Sequence, residues 1–258
     1  MMLFFYLRQT RHFSISNPIP MKKSICLLPV VLSALLLITG CKKDPPGYGT
    51  VTDLEGATYG VMKIGNQVWM TENLRTGKYR DGSGILTNLY SDFEWASAGP
   101  ACAVYPHSLI DGLDTESEVA KAYGRLYNWA CVTDSRGLCP DGYHVPTKAD
   151  WEELVSYLGG EDVAGGKLKS KRTEPIEHPR WDEPNTGATD AYYFHALPGG
   201  FRSFMGWYDY AGYLAEWWSS TPLDANFAAI MGIYGDEEGV NLSYRDKNLG
   251  LSVRCVQD

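Results

Sequence analysis

The chain has 258 residues, with 31 Asp and Glu against 23 Lys and Arg, a net charge of −8, and 44% hydrophobic and 13% aromatic content. The first 40 residues hold four of the basic side chains and no acidic one, so the remaining 218 carry 19 basic against 31 acidic residues, a net of −12. A stretch of that length can bury a sizeable core. Its acidity excludes nucleic acid, whose phosphates select clustered Lys and Arg, and docking by charge to anionic lipid headgroups.

Residues 1–20 show no periodicity and precede a segment that suffices for export, so translation is expected to start at Met21. Lys22 and Lys23, the apolar run Ile25 to Ile38, and Thr39-Gly40-Cys41 form a basic, apolar and small-residue sequence of the secretory type. The run is shorter than the roughly 20 residues a membrane-spanning helix needs. Ile38-Thr39-Gly40-Cys41 resembles a lipobox, which implies cleavage after residue 40 and lipidation of Cys41 as the membrane anchor. Residues 41–50, with Pro45-Pro46-Gly47, read as a polar tether, and residues 51–258 as one domain. An outer-membrane lipoprotein at the cell surface is the expected location.

Setting aside Cys26 and Cys41, four cysteines remain: Cys102, Cys131, Cys139 and Cys255. In an exported chain that even number predicts two disulfides, with three connectivities open. A thiolate metal site lacks a Cys-x-x-Cys pair.

Gly65-Asn66 predicts a two-residue turn between strands at Tyr59 to Ile64 and Gln67 to Thr71. Residues 81–110 are rich in loop signals, Glu116 to Ala122 reads as a short helix, and Tyr123 to Cys131 as a buried strand. Pro140-Asp141-Gly142 is turn chemistry, and Pro146 holds Tyr143 to Val145 extended. Thr147 and Asp150 then suit a capping box, and Trp151, Leu154, Val155 and Leu158 form one apolar stripe that ends at Gly159. A second helix over Glu161 to Ser170 is weakened by Gly165-Gly166, and Lys167, Lys169, Lys171 and Arg172 read as its solvated end. Lys171 to Asp190 is a long loop. Strands are expected at Phe194–Ala196, Tyr213–Trp218, Phe227–Tyr234, Val240–Tyr244 and Leu251–Val256, which makes the class α+β.

The segment Leu138-Cys139-Pro140-x-Gly142-Tyr143-His144-Val145-Pro146-Thr147-x-x-x-Trp151 resembles the signature of the Fibrobacter succinogenes major paralogous domain. Ordered matches run from Lys63-Ile64-Gly65-Asn66-Gln67-x-Trp69-Met70 through Tyr123-Gly124-Arg125-Leu126-Tyr127-Asn128-Trp129 and Ala196-Leu197-Pro198-Gly199-Gly200-Phe201-Arg202 to Trp217-Trp218-Ser219-Ser220-Thr221 and Leu251-Ser252-Val253-Arg254-Cys255-Val256. They cover roughly residues 51 to 258. The resemblance implies a C-type-lectin-like fold related to formylglycine-generating enzymes, with two short helices packed on irregular antiparallel sheets and long loops. It also implies a Cys139–Cys255 disulfide, which leaves Cys102 and Cys131 as the second pair. The family brings no established activity.

Glu183-Pro184-Asn185 matches the tripeptide with which sugar-binding C-type lectins hold calcium and sugar hydroxyls. Calcium takes six to eight oxygens, and Asp182 and Asp190 could add carboxylates to Glu183 and Asn185. The partner Trp-Asn-Asp motif is replaced by Trp217 to Thr221, and a plain loop turn with solvated carboxylates accounts for the same residues. Trp207 and Tyr208, in an expected loop, are candidates for stacking on sugar rings, whereas Trp217 and Trp218 suit the core. His144 reads as a half-buried structural residue. His107, His178 and His195 belong to no Gly-x-Ser-x-Gly, His-Glu-x-x-His or P-loop pattern, so no catalytic residue is expected. The expectation is a non-catalytic binding or adhesion module for glycans or an envelope protein, with calcium as a conditional cofactor. The alternatives are a structural or assembly component of the envelope, or an enzyme of the formylglycine-generating type.

Overall fold

Gly65 and Asn66 close the first hairpin as their composition demands, Gly65 taking φ 63° where a Cβ would be strained. The structure is a computed structural model that describes residues 49–87, 89, 91–172 and 177–258. The expected signal, Cys41 and the tether up to residue 48 lie outside them. β1 (Gly49–Thr52), β2 (Thr58–Ile64) and β3 (Gln67–Met70) form an antiparallel meander. α1 (Asp92–Ala96) follows, its Ser91 and Glu94 bonding reciprocally as a capping box. With β4 (Cys102–Ala103) and a 3-10 turn at His107–Leu109, three short elements occupy the stretch expected to be loop.

α2 (Glu116–Tyr123) is capped in the same way by Thr115 and Glu118. The expected strand from Tyr123 to Cys131 is broken up. Gly124 at φ 81° ends α2, β5 (Leu126–Tyr127) is two residues long, and Asn128 caps α3 (Trp129–Val132) by accepting from the Cys131 amide at 3.2 Å. The side-chain amide of Asn128 captures the backbone before a longer ladder can form.

β6 (Tyr143–His144) leads through Pro146 into α4 (Lys148–Tyr157), where Thr147 and Asp150 form the predicted capping box and Trp151, Leu154 and Val155 are buried. In α5 (Glu161–Leu168) the two glycines are required by packing. A Cβ at Gly165 would fall on the Gly239 carbonyl, and one at Gly166 on the Gly187 carbonyl. The basic run beyond α5 ends in solvent at Lys171 and Arg172 as expected, but within it Lys169 is fully buried and donates to the carbonyls of Tyr234, Gly235 and Glu237 at 2.7–3.2 Å. Phe194–Ala196 supplies only a bridge from Ala196 to Lys169.

The remaining strands are β7 (Gly199–Arg202), β8 (Tyr208–Ala211), β9 (Leu214–Pro222), β10 (Phe227–Tyr234), β11 (Asn241–Asp246) and β12 (Val256–Gln257). Leu251 and Ser252, expected within the last strand, instead make isolated bridges to Tyr127 and Trp217. One sheet runs β1-β2-β3-β12-β6 and another β11-β10-β9, and β4-β5 and β7-β8 are two-stranded pairs. Strand periodicity sorts side chains between two cores. Tyr59, Val61, Met70, Trp218 and Ile230 enter one cluster, while Met62, Ile64, Trp69, Trp217, Met231 and Ile233 enter the other with the α4 stripe. Trp69 stacks on Trp151 with ring centroids 4.5 Å apart. Five helices on antiparallel sheets among the described residues make the class α+β, α1 and α3 being additional to the three read along the chain. None of these helices is long and apolar enough to cross a membrane.

Cys139 and Cys255 are bonded, with Cα atoms 6.0 Å apart, across 116 residues. Cys102 and Cys131, expected as a second bridge, are free thiols. The β4-β5 pairing sets Cys102 opposite Tyr127, and the Cys131 thiol is engaged elsewhere, donating to the Ala101 carbonyl and accepting from the Tyr79 hydroxyl, each at 3.3 Å. Burial pushes both thiols up to about 12, so both stay protonated.

Candidate functional site

The β7-β8 hairpin is the element that builds a cleft. Its tip closes tightly, the Ser203 amide donating to the Trp207 carbonyl at 2.7 Å and the Gly206 amide to the Ser203 carbonyl at 2.9 Å, which leaves Trp207 47% exposed. Tyr208 thus begins a strand rather than lying in a loop, and register places it opposite Arg202. The Arg202 guanidinium sits 4.4 Å from the Trp95 ring centroid and 4.9 Å from that of Tyr208. It also donates to the Gly206 and Leu89 carbonyls, each at 2.8 Å, and so fastens the hairpin to the segment around α1.

Tyr105, just past β4, meets Tyr208 edge-on at 5.3 Å. Between these elements opens a cleft of about 530 Å³, walled by Tyr105 and Tyr208, rimmed by Trp207, His107 and Leu109, and ending at Glu116 and Arg125. That volume suits a small ligand or one or two residues of a polymer. A second hollow of about 550 Å³ shares Glu116 and Arg125 and adds Arg75 and Lys121. A third, beside Arg80 and Asp141, holds only about 100 Å³. Burial raises the Tyr105 and Tyr208 phenols, the latter against the pull of Arg202, so both remain neutral hydroxyls. Arg125 donates from Nε to the Arg75 carbonyl at 3.0 Å, while its Nη1 lies 4.0 Å from a Glu116 carboxylate that is 69% exposed.

From Trp207 an aromatic file continues over the hairpin through Phe201, Tyr210, Tyr213 and Tyr234, with successive centroids 5.8–6.0 Å apart. Tyr210 is held at φ 61°, a strained position for a bulky residue.

The acidic loop does not assemble as the calcium expectation required. Asp182 pairs with Arg180 and Asp190 with His195, Glu183 is exposed, and the Asn185 Nδ2 donates to the Ser170 carbonyl at 3.0 Å. No group of three or more His, Cys, Asp or Glu among the described residues is placed to hold a metal ion. Local ion pairs two and five residues apart consume the carboxylates before they can converge. The Glu183–Pro184 peptide is cis. His144 is structural as expected, fastened to Asp258 at 2.8 Å and Asp150 at 3.3 Å.

The structure therefore keeps Trp207 and Tyr208 as one site and separates them from Glu183 and Asn185. The sequence reading missed Tyr105, Arg125 and Arg202. They lie on three different segments, and only the match over Tyr123 to Trp129 and Ala196 to Arg202 drew attention to two of them. No curated protein and no solved structure matches this chain. The model of the Fibrobacter succinogenes major domain matches residues 62–257, which includes every element from β3 to β12, and the chain belongs to that family.

Proposed function

We propose that the protein is a non-catalytic binding module for glycans, carried at the cell surface by a lipid on Cys41, on a C-type-lectin-like domain. The observation that carries the reading is the cleft of about 530 Å³ with Tyr105 and Tyr208 in its wall and half-exposed Trp207 at its rim. Flat rings with polar tips accept the C–H faces of pyranoses while their hydroxyls bond the sugar's. The bonded state of Cys255 and the burial of Cys102 and Cys131 favour binding over the oxidative enzyme branch, which relies on a reactive thiol pair. The Ile38–Cys41 segment supports the anchor, and unmodified Cys41 in the membrane fraction, read by intact mass, would remove it.

A glycan array probed with the full chain in mild detergent, once with calcium and once with EDTA, tests the site. The expected result is binding that survives EDTA, since the aromatic cleft needs no ion, and that falls by about tenfold or more in Trp207→Ala. Binding abolished by EDTA would return the function to the Glu183 loop. Binding unchanged by Trp207→Ala would move it off the cleft.

A further inference from the structure

Charge along the cleft runs opposite to charge over the molecule. The residues after position 40 carry a net of −12, yet the two adjoining hollows are lined by Arg75, Lys121, Arg125 and Arg202 against one carboxylate, Glu116. Arg125 stands where the hollows meet, and its link to Glu116 is a loose one at 4.0 Å to an exposed side chain. Such a pair contributes little by itself and yields to a better partner. Lys121 is exposed on α2 and makes no ion pair among the described residues. A row of cations in an acidic surface focuses anions into the groove.

Beside those cations stand the aromatic walls, and the two features call for different parts of one ligand. We propose, building on the glycan reading above, that the ligand is a carboxylated polysaccharide. One pyranose lies against Trp207 and Tyr208, and the carboxylate of a neighbouring uronate reaches the Arg125 guanidinium. Guanidinium is suited to that role because its planar fork takes both oxygens of a carboxylate. The two hollows share Glu116 and Arg125 in their lining, so a chain that crosses this pair reaches Arg75 and Lys121. Glu116 faces the same guanidinium and competes with the ligand for it.

The test measures binding of the full chain, in detergent and EDTA, to three probes of matched length: polygalacturonate, the same polymer after carboxyl reduction, and poly-L-glutamate. Polygalacturonate should bind at least about tenfold more tightly than the reduced polymer, and more tightly than poly-L-glutamate. Arg125→Gln should erase the difference between the two sugars, and Trp207→Ala should weaken both. Glu116→Gln should strengthen polygalacturonate binding. That gain cannot come from misfolding, and with Lys121→Gln, expected to weaken it, it keeps the test decisive should Arg125→Gln fail to fold. Equal binding of the two sugars, with the charge variants silent, overturns the carboxylate inference and leaves the glycan reading standing. Poly-L-glutamate binding as tightly as polygalacturonate overturns the sugar. No binding of any probe, with glycans on the array still bound through Trp207, refutes this ligand alone. If Trp207→Ala is also silent on the array, the cleft reading falls with it.

Discussion

Lys169 shows how far a single side chain can depart from its sequence context. It sits in a basic run, yet it is fully buried and its ammonium is spread over three carbonyls of the 234–237 turn. Burial, opposed in part by Asp236, Glu238 and Glu237, brings it down from 10.5 to about 8. The unfolded chain then holds this proton more tightly than the fold between about pH 8 and 10.5. The lysine's contribution to stability is fully present above that window and is lost as pH falls through 8. Denaturation of wild type and Lys169→Met at pH 7 and pH 10 should give a stability difference that shifts in favour of wild type at the higher pH; no shift would contradict the depressed value. The thiols give a second residue-level prediction. Alkylation and peptide mapping should leave Cys102 and Cys131 unlabelled in the native protein and label both on denaturation without reductant, while Cys139 and Cys255 label only after reduction. Labelling of all four only after reduction would restore the second bridge.

At the scale of elements, α4 and α5 make a contrast. The sequence carries everything α4 needs, since its caps and apolar stripe are local, and the helix forms where the spacing predicts. α5 carries two mid-helix glycines that local rules count as defects of about 1 kcal/mol each. Their reason lies across the fold, where the backbone at Gly239 and Gly187 comes too close for a Cβ. Gly165→Ala should therefore destabilise by about 1–3 kcal/mol in urea denaturation rather than stabilise. A gain would mean that the 237–240 turn gives way freely. The β7-β8 hairpin was illegible for a related reason. Its strands are four residues each, and Arg202, lodged between Trp95 and Tyr208, is what fixes it.

Over the whole molecule the Cys139–Cys255 bond is the longest covalent constraint among the described residues. It joins the turn before β6 to the residue before β12, and with β12 lying between β3 and β6 it closes the larger sheet. Closing a loop of 116 residues restricts the unfolded chain strongly. Replacing both cysteines by serine should lower stability by about 2–5 kcal/mol in thermal or urea unfolding. A loss under about 1 kcal/mol would show that the β3-β12-β6 contacts suffice alone.

By itself the sequence determined the α+β class, the first hairpin, α2, α4 and β10, because each rests on turn chemistry, caps or periodicity within a few residues, and it determined the family through its ordered motifs. It also singled out Trp207 and Tyr208, as a pair of aromatic residues beyond a glycine. Only the tertiary structure decided which residues share a site. It joined Trp207 and Tyr208 to Tyr105 and Arg125, which come from segments some 80–100 positions earlier. It also sent Asp182, Asn185 and Asp190, close in sequence, to separate local partners and left Glu183 exposed. A cleft is made by the packing of distant segments, and neighbours along a chain need not point the same way.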